Sequence, residues 1–172
     1  MNKKKLKYRV TYLEMNRKPS FDWPKNLKHK LSILLAESFP AWYFLFFYKQ
    51  VGKNYYWTDW LRKSEDEIDE FVNDKNVLLY TLIKDGWPVG FYMLDYRKKD
   101  ICDLSFFGLV DEVIGIGLGK YLLQTAILTA WDNKKIKKLT VNTCSLDHKS
   151  AIYLYQKYGF TPVKYKDLEK TI

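Results

Sequence analysis

The residues best suited to chemistry lie in Asp111–Leu123, DEVIGIGLGKYLL, where Gly115, Gly117 and Gly119 alternate and run into Lys120 and an apolar periodic segment. A glycine costs a helix up to about 1 kcal/mol relative to alanine, so three at a helix start call for a compensating use. The first N–H groups of a helix have no intrahelical acceptor and sit at the positive end of its dipole. Without side chains in the way, a pyrophosphate can approach those donors closely, and Lys120 adds positive charge. The dinucleotide fingerprint G-x-G-x-x-G does not fit, because the spacing here is G-x-G-x-G. The phosphate loop G-x-x-x-x-G-K-[ST] fails too: Ile114 replaces its first glycine and Tyr121 its hydroxyl residue. A glycine turn with no ligand fits the same residues.

A second stretch, Thr143–Phe160, reads TCSLDHKSAIYLYQKYGF. Ala151, Leu154, Tyr155 and Tyr158 share one helical face, Asp147 is placed to cap the helix, and Gly159 to end it in the left-handed conformation. Helical spacing suits Tyr155 and Tyr158 equally well as core residues. Cys144 and His148 have a C-x-x-x-H spacing that Cys102 could join, but those are too few ligands for structural zinc, and no metal is expected.

The elements that must position these residues follow from periodicity. Tyr8–Met15 alternates as a first strand. Lys25–Ser38 reads as an amphipathic helix, with Leu27, Leu31, Leu34 and Leu35 at helical spacing and Pro40 ending it. Ser64–Glu67 is a capping box opening a helix at Ile68 and Phe71. Val77–Ile83 and Trp87–Tyr96 flank an Asp85-Gly86 hairpin turn, and Ile101–Val110 is a third consecutive strand. After the glycines come a helix to about Trp131, a strand over Lys138–Cys144, a helix over His148–Tyr158 and a last strand over Phe160–Tyr165. One strand, two or three helices, three antiparallel strands and βα crossovers make a mixed-sheet α/β or α+β domain.

With 172 residues and neither repeat nor linker, the chain reads as a single domain over 1–172. The longest apolar run, Ala41–Tyr48, has eight residues, far short of the ~20 that span a bilayer, so no membrane partner is expected. The start, MNKKKLKYRV, lacks the apolar stretch of a secretory signal, and two cysteines suggest a reducing compartment, so a cytoplasmic protein is expected. A net charge of +9 admits nucleic acid as a partner, but the lysines are spread along the whole chain, which favours a solvated basic surface.

The two stretches resemble motifs A and B of the GNAT superfamily of N-acetyltransferases. Motif A is Arg/Gln-x-x-Gly-x-Gly/Ala, with Gly117 and Gly119 on its glycines and Ile114 where Arg or Gln is usual. Motif B is Asn-x-x-Ala-x-x-Leu-Tyr-x-x-x-Gly-Phe, matched by Ala151, Leu154, Tyr155, Gly159 and Phe160, with His148 at the asparagine. The resemblance covers about Val77 to Tyr165, and the first third of the chain matches only in plan. It implies a mixed, mostly antiparallel central sheet flanked by helices, with acetyl-CoA as co-substrate and a primary amine, on a small molecule or a peptide, as acceptor. It also implies that the turn (Ile114, Gly115, Ile116, Gly117, Leu118, Gly119 and Lys120) cradles the pyrophosphate, with His148 nearby. Leu109 and Val110 would offer backbone groups to the pantetheine arm, and an N–H near Leu109 would polarise the thioester carbonyl.

Acetyl transfer needs a neutral amine, donors for an oxyanion, and a hydrogen bond or proton for the leaving thiolate. Tyr155, which the resemblance places beside the thioester, is the candidate acid: a phenol keeps its proton at neutral pH. Asp103 is the candidate base: alternation puts it on one face with Ser105, Phe107 and Leu109, and its offset from the glycines resembles that of the catalytic glutamate in the histone-acetylating branch of the family. A water relay without a dedicated base is the alternative, and Glu112 is read as a solvated turn residue. The aromatic surplus between Phe39 and Trp60 suggests an acceptor wall of Tyr56, Trp57, Asp59 and Trp60, or equally a cap on the core or a homodimer contact. Two readings compete with an enzyme: a non-catalytic acyl-CoA-binding module or partner subunit, and a basic nucleic-acid binder.

Overall fold

A computed structural model describes residues 5–25 and 29–171. Seven strands form one sheet in the order β2-β3-β4-β5-β6-β1-β7. They are β1 (Lys5–Met15), β2 (Leu31–Ala36), β3 (Val77–Lys84), β4 (Trp87–Asp95), β5 (Ile101–Leu109), β6 (Lys138–Cys144) and β7 (Thr161–Thr171). Every neighbouring pair is antiparallel except β5 and β6. Four helices flank the sheet: α1 (Ala41–Gly52), α2 (Glu65–Val72), α3 (Leu118–Asp132) and α4 (Ala151–Lys157). The mixed, mostly antiparallel sheet flanked by helices is the architecture expected from the sequence.

The parallel pair creates the opening that matters. β5 and β6 pair only at Ile101–Lys138, Cys102–Leu139 and Asp103–Thr140. Beyond Asp103 the strands diverge, leaving a V-shaped gap whose apex is the Asp103–Thr140 contact.

Helices α1 and α2 cover one face through Phe44, Phe47, Ile68 and Phe71, with Phe44 packed on Phe106 and Phe47 stacked on Phe91. Helix α3 covers the other, where the Tyr92 hydroxyl shares a 3.1 Å hydrogen bond with Thr129. Helix α2 opens on the expected capping box: Ser64 Oγ accepts from the Glu67 N–H, and the Glu67 carboxylate from the Ser64 N–H.

Three readings need correction. Residues 31–36 form edge strand β2 instead of the helix expected over 25–38, and positions 26–28 of that helix, Leu27 included, lie outside the described residues. The leucine spacing fits both periods, and Leu34 and Leu35 are exposed on the edge instead of forming one buried stripe. The last strand runs on to Thr171, because the whole of β1 is available to pair with it. Helix α4 starts at Ala151 with Ser150 at its N-cap, so Asp147 is not the cap.

The two edges of the sheet differ. β2 carries no charge from Leu31 to Ala36, whereas β7 carries Lys164, Lys166, Asp167, Glu169 and Lys170.

Candidate functional site

The glycine turn has the form its composition suggests. Gly115 and Gly117 both sit at φ +90°, a left-handed conformation that side chains resist, and Gly117 is the N-cap of α3. A Cβ at either would meet nothing within 4 Å, so the backbone faces open space. That geometry fits a diphosphate held by main-chain donors. Ile114, Gly115, Gly117, Gly119 and Lys120 line the cleft in front of it, and Ile114 and Ile116 are exposed. Leu118 is instead buried in the core, so only its backbone can serve a ligand.

The cleft has a volume of about 640 Å³. It extends from the turn along β5, past Leu109 to Leu104, and is bounded on the far side by Asn142, Thr143, Asp147, His148 and α4. Val110 is buried and donates its N–H to Val89 at 2.9 Å, so it is a structural residue at the strand end. Tyr155 is buried against Phe107 and Phe160 and lines the cleft. Burial, then the charge of Asp147, push its pKa above that of an ordinary phenol, so it stays protonated across the neutral range.

Asp103 is placed differently from the alternation expected. A bulge interrupts the β4–β5 register: Asp95 pairs with Asp103, Leu94 with Leu104, then Met93 with Phe106. One extra residue, Ser105, reverses the facing of everything after it. Asp103 therefore shares its face with Phe106, while Phe107 points to the opposite face with Tyr155. Thr140 and Ser105 donate their hydroxyls to the two Asp103 carboxylate oxygens. Asp103 lines a second depression of about 350 Å³ with Tyr12, Glu14, Asp95 and Arg97. Asn142 lines both cavities, which thus adjoin at the gap between β5 and β6.

Of the four aromatic-loop residues, only Trp57 lines the cleft. Lys170 reaches across to the Tyr56 carbonyl and the Asp59 carboxylate, each at 2.9 Å, so Asp59 is ion-paired at the β7 edge. Trp60 packs into the core between Phe44 and Phe71.

Sequence reasoning missed Asp147. Its Oδ1 accepts the Trp57 indole N–H at 3.0 Å, and its Oδ2 accepts the Thr143 hydroxyl and Cys144 N–H, each at 2.8 Å. It thus ties the loop after α1 to the β6–α4 connection. Only its place beside a motif position hinted at this, since the partners are 90 residues apart for Trp57. Glu112 has no part in the lining of either cavity. Among the described residues no cluster of three or more His, Cys, Asp or Glu could hold a metal, and no helix is long and apolar enough to cross a membrane.

Solved structures share this fold. A GNAT family acetyltransferase from Elizabethkingia anophelis with acetyl-CoA bound superposes at TM-score 0.55 and 23% identity, over 78% of each chain. A GNAT-family putative acetyltransferase from Novosphingobium aromaticivorans gives 0.65 at 15% identity, over 96% of this chain and 64% of its own. A functionally unknown conserved protein from Staphylococcus epidermidis gives 0.64 at 14%, over 98% of this chain and again 64% of its own. The chain thus spans just under two thirds of these two longer structures. No curated protein matches it. The model of the acetyltransferase (GNAT) family matches residues 36–160, from the last residue of edge strand β2 through motif B. With most of its length so matched, and the glycine turn and gapped sheet both in place, the chain belongs to the GNAT family of acetyltransferases.

Proposed function

We propose that the protein transfers an acetyl group from acetyl-CoA to a primary amine by direct attack. The observation that carries this reading is the cleft itself, which joins unhindered backbone at the start of α3 to a buried phenol beside a gap in the sheet. Acetyl-CoA supplies an acyl group activated as a thioester. The N–H groups around Gly117 and Gly119 hold its diphosphate, with Lys120 adding charge. Leu109 offers main-chain groups to the pantetheine arm and a donor for the thioester carbonyl, and His148 flanks the same arm.

Tyr155 hydrogen-bonds the departing sulfur. Burial keeps its phenol protonated, so it can donate to the leaving thiolate as general acid. The amine enters through the second depression. Asp103, at the apex of the gap, draws off the amine's proton directly or through water. Two free cysteines favour a reducing, cytoplasmic setting.

The test has two stages. Calorimetry with coenzyme A should give saturable heat, and the acceptor screen follows: thiol release from acetyl-CoA with polyamines, amino acids, aminoglycosides and peptide N-termini. Tyr155→Phe should lose most turnover while keeping acetyl-CoA affinity. Absence of coenzyme A binding would sink the reading. Binding without thiol release for any amine would leave an acyl-CoA-binding module.

A further inference from the structure

Tyr155 and Trp57 meet β5 at neighbouring residues from opposite faces. Tyr155 packs on Phe107 with ring centroids 6.0 Å apart, and Trp57 on Phe106 at 6.1 Å. Both line one cleft, so the cavity passes through the gap between β5 and β6 instead of lying on one face of the sheet. A thioester beside Tyr155 directs its acyl group into that gap, towards the Trp57 indole.

The indole is unusually constrained. Tyr48 packs on it at 5.3 Å, its ring N–H is held by Asp147, and its backbone N–H donates to the Gly52 carbonyl at 3.3 Å. Gly52 leaves it room: a Cβ there would lie 2.2 Å from the Trp57 Cβ. The segment before it is anchored on the glycine-turn side, where Asn54 and Lys53 reach Asp111 at 2.7 and 3.1 Å. Swinging the ring aside would break the Asp147 contact while that carboxylate stays fixed by Thr143 and Cys144.

We propose that Trp57, locked by Asp147, is the end wall that limits the length of the acyl group the enzyme accepts. This rests on the acyl-CoA reading above, and it assigns Trp57 to the acyl donor, not to the acceptor. Each methylene that finds apolar surface to bury is worth about fourfold in affinity. A fixed ring denies that gain and replaces it with overlap, because packed side chains yield little. The wall is expected to admit acetyl short of the ring and to exclude a six-carbon chain.

The experiment measures dissociation constants of coenzyme A, acetyl-CoA, butyryl-CoA and hexanoyl-CoA for the wild type, Trp57→Ala, Trp57→Leu and Asp147→Asn, with a melting curve for each. The wild type should bind hexanoyl-CoA at least tenfold more weakly than acetyl-CoA. Either Trp57 variant should erase or invert that ratio, and Asp147→Asn should move it part of the way. Should Trp57→Ala not fold, Trp57→Leu and the wild-type ratio still decide. Equal wild-type affinities for all chain lengths, or an unchanged ratio in a folded Trp57 variant, would overturn the wall while leaving the acyl-CoA reading intact. Failure of coenzyme A itself to bind would remove both.

Discussion

Gly119→Ala, set beside Gly117→Ala, separates what the glycine turn does for folding from what it does for a ligand. Gly119 lies in the first turn of α3 at a φ that any residue adopts, unlike Gly115 and Gly117. A Cβ built there has Leu109 Cδ1 and Leu154 Cδ2 as its nearest neighbours, both at 3.9 Å, which is ordinary contact. Alanine at such a position stabilises by about 0.4–1 kcal/mol, chiefly by restricting the unfolded chain. In a domain of this size that raises Tm by about 1–4 °C. Motif A admits alanine at this position, so Gly119→Ala should keep its coenzyme A affinity, whereas a methyl at Gly117 enters the open space in front of the turn and should weaken it. Losing one hydrogen bond to a charged group costs about 1.5–3 kcal/mol, or roughly ten- to a hundredfold in affinity. Differential scanning fluorimetry without ligand, and calorimetry with coenzyme A, read the two effects separately. A folded Gly117→Ala variant that binds coenzyme A as tightly as the wild type would refute the assignment of this turn to the diphosphate. A destabilised Gly119→Ala variant would show that Gly119 is needed by the fold itself.

Other perturbations address the scaffold and the two faces of the gap. Gly108→Ala puts a Cβ 2.3 Å from Val51 Cγ1, so α1 must move off β5, and chemical denaturation should show a loss of about 1–3 kcal/mol. Ser64→Ala removes the capping box of α2 and should cost about 0.5–2 kcal/mol in the same assay. Phe44→Ala, at a side chain with no exposure that touches Tyr48, Trp60, Phe71 and Phe106, should cost about 3–5 kcal/mol. Asp103→Asn should lower turnover most at low pH, where the amine is most protonated, and leave the acetyl-CoA dissociation constant unchanged; an unaltered pH–rate profile would exclude Asp103 as the base.

Much of the site was legible because local rules wrote it. The glycine turn, the Ser64 capping box and the left-handed Gly159, at φ +101°, each depend on a few adjacent residues. A helix face and a short motif agree on Tyr155, which the fold places in the cleft lining. The strand that carries Asp103 was legible, but the facing of Asp103 was not: a bulge at Ser105 inverts the alternation, and nothing in ICDLSFFGL announces an extra residue. β2 was misread because LSILLA is too short to separate the two periods, and the partner that decides, β3, lies far along the chain, from Leu31 paired with Lys84 to Ala36 paired with Leu79. The contacts of Asp147 with Trp57 and of Asp59 with Lys170 join residues 90 and 111 apart, so they exist only once the sheet has formed.

A cleft and a second depression that adjoin at the gap in the sheet give two mouths. In the proposed transfer, donor and acceptor arrive from opposite sides and need not wait for one another to leave. Initial velocities against either reactant should then give intersecting double-reciprocal lines, the mark of a ternary complex, and neither product should have to exit past the other.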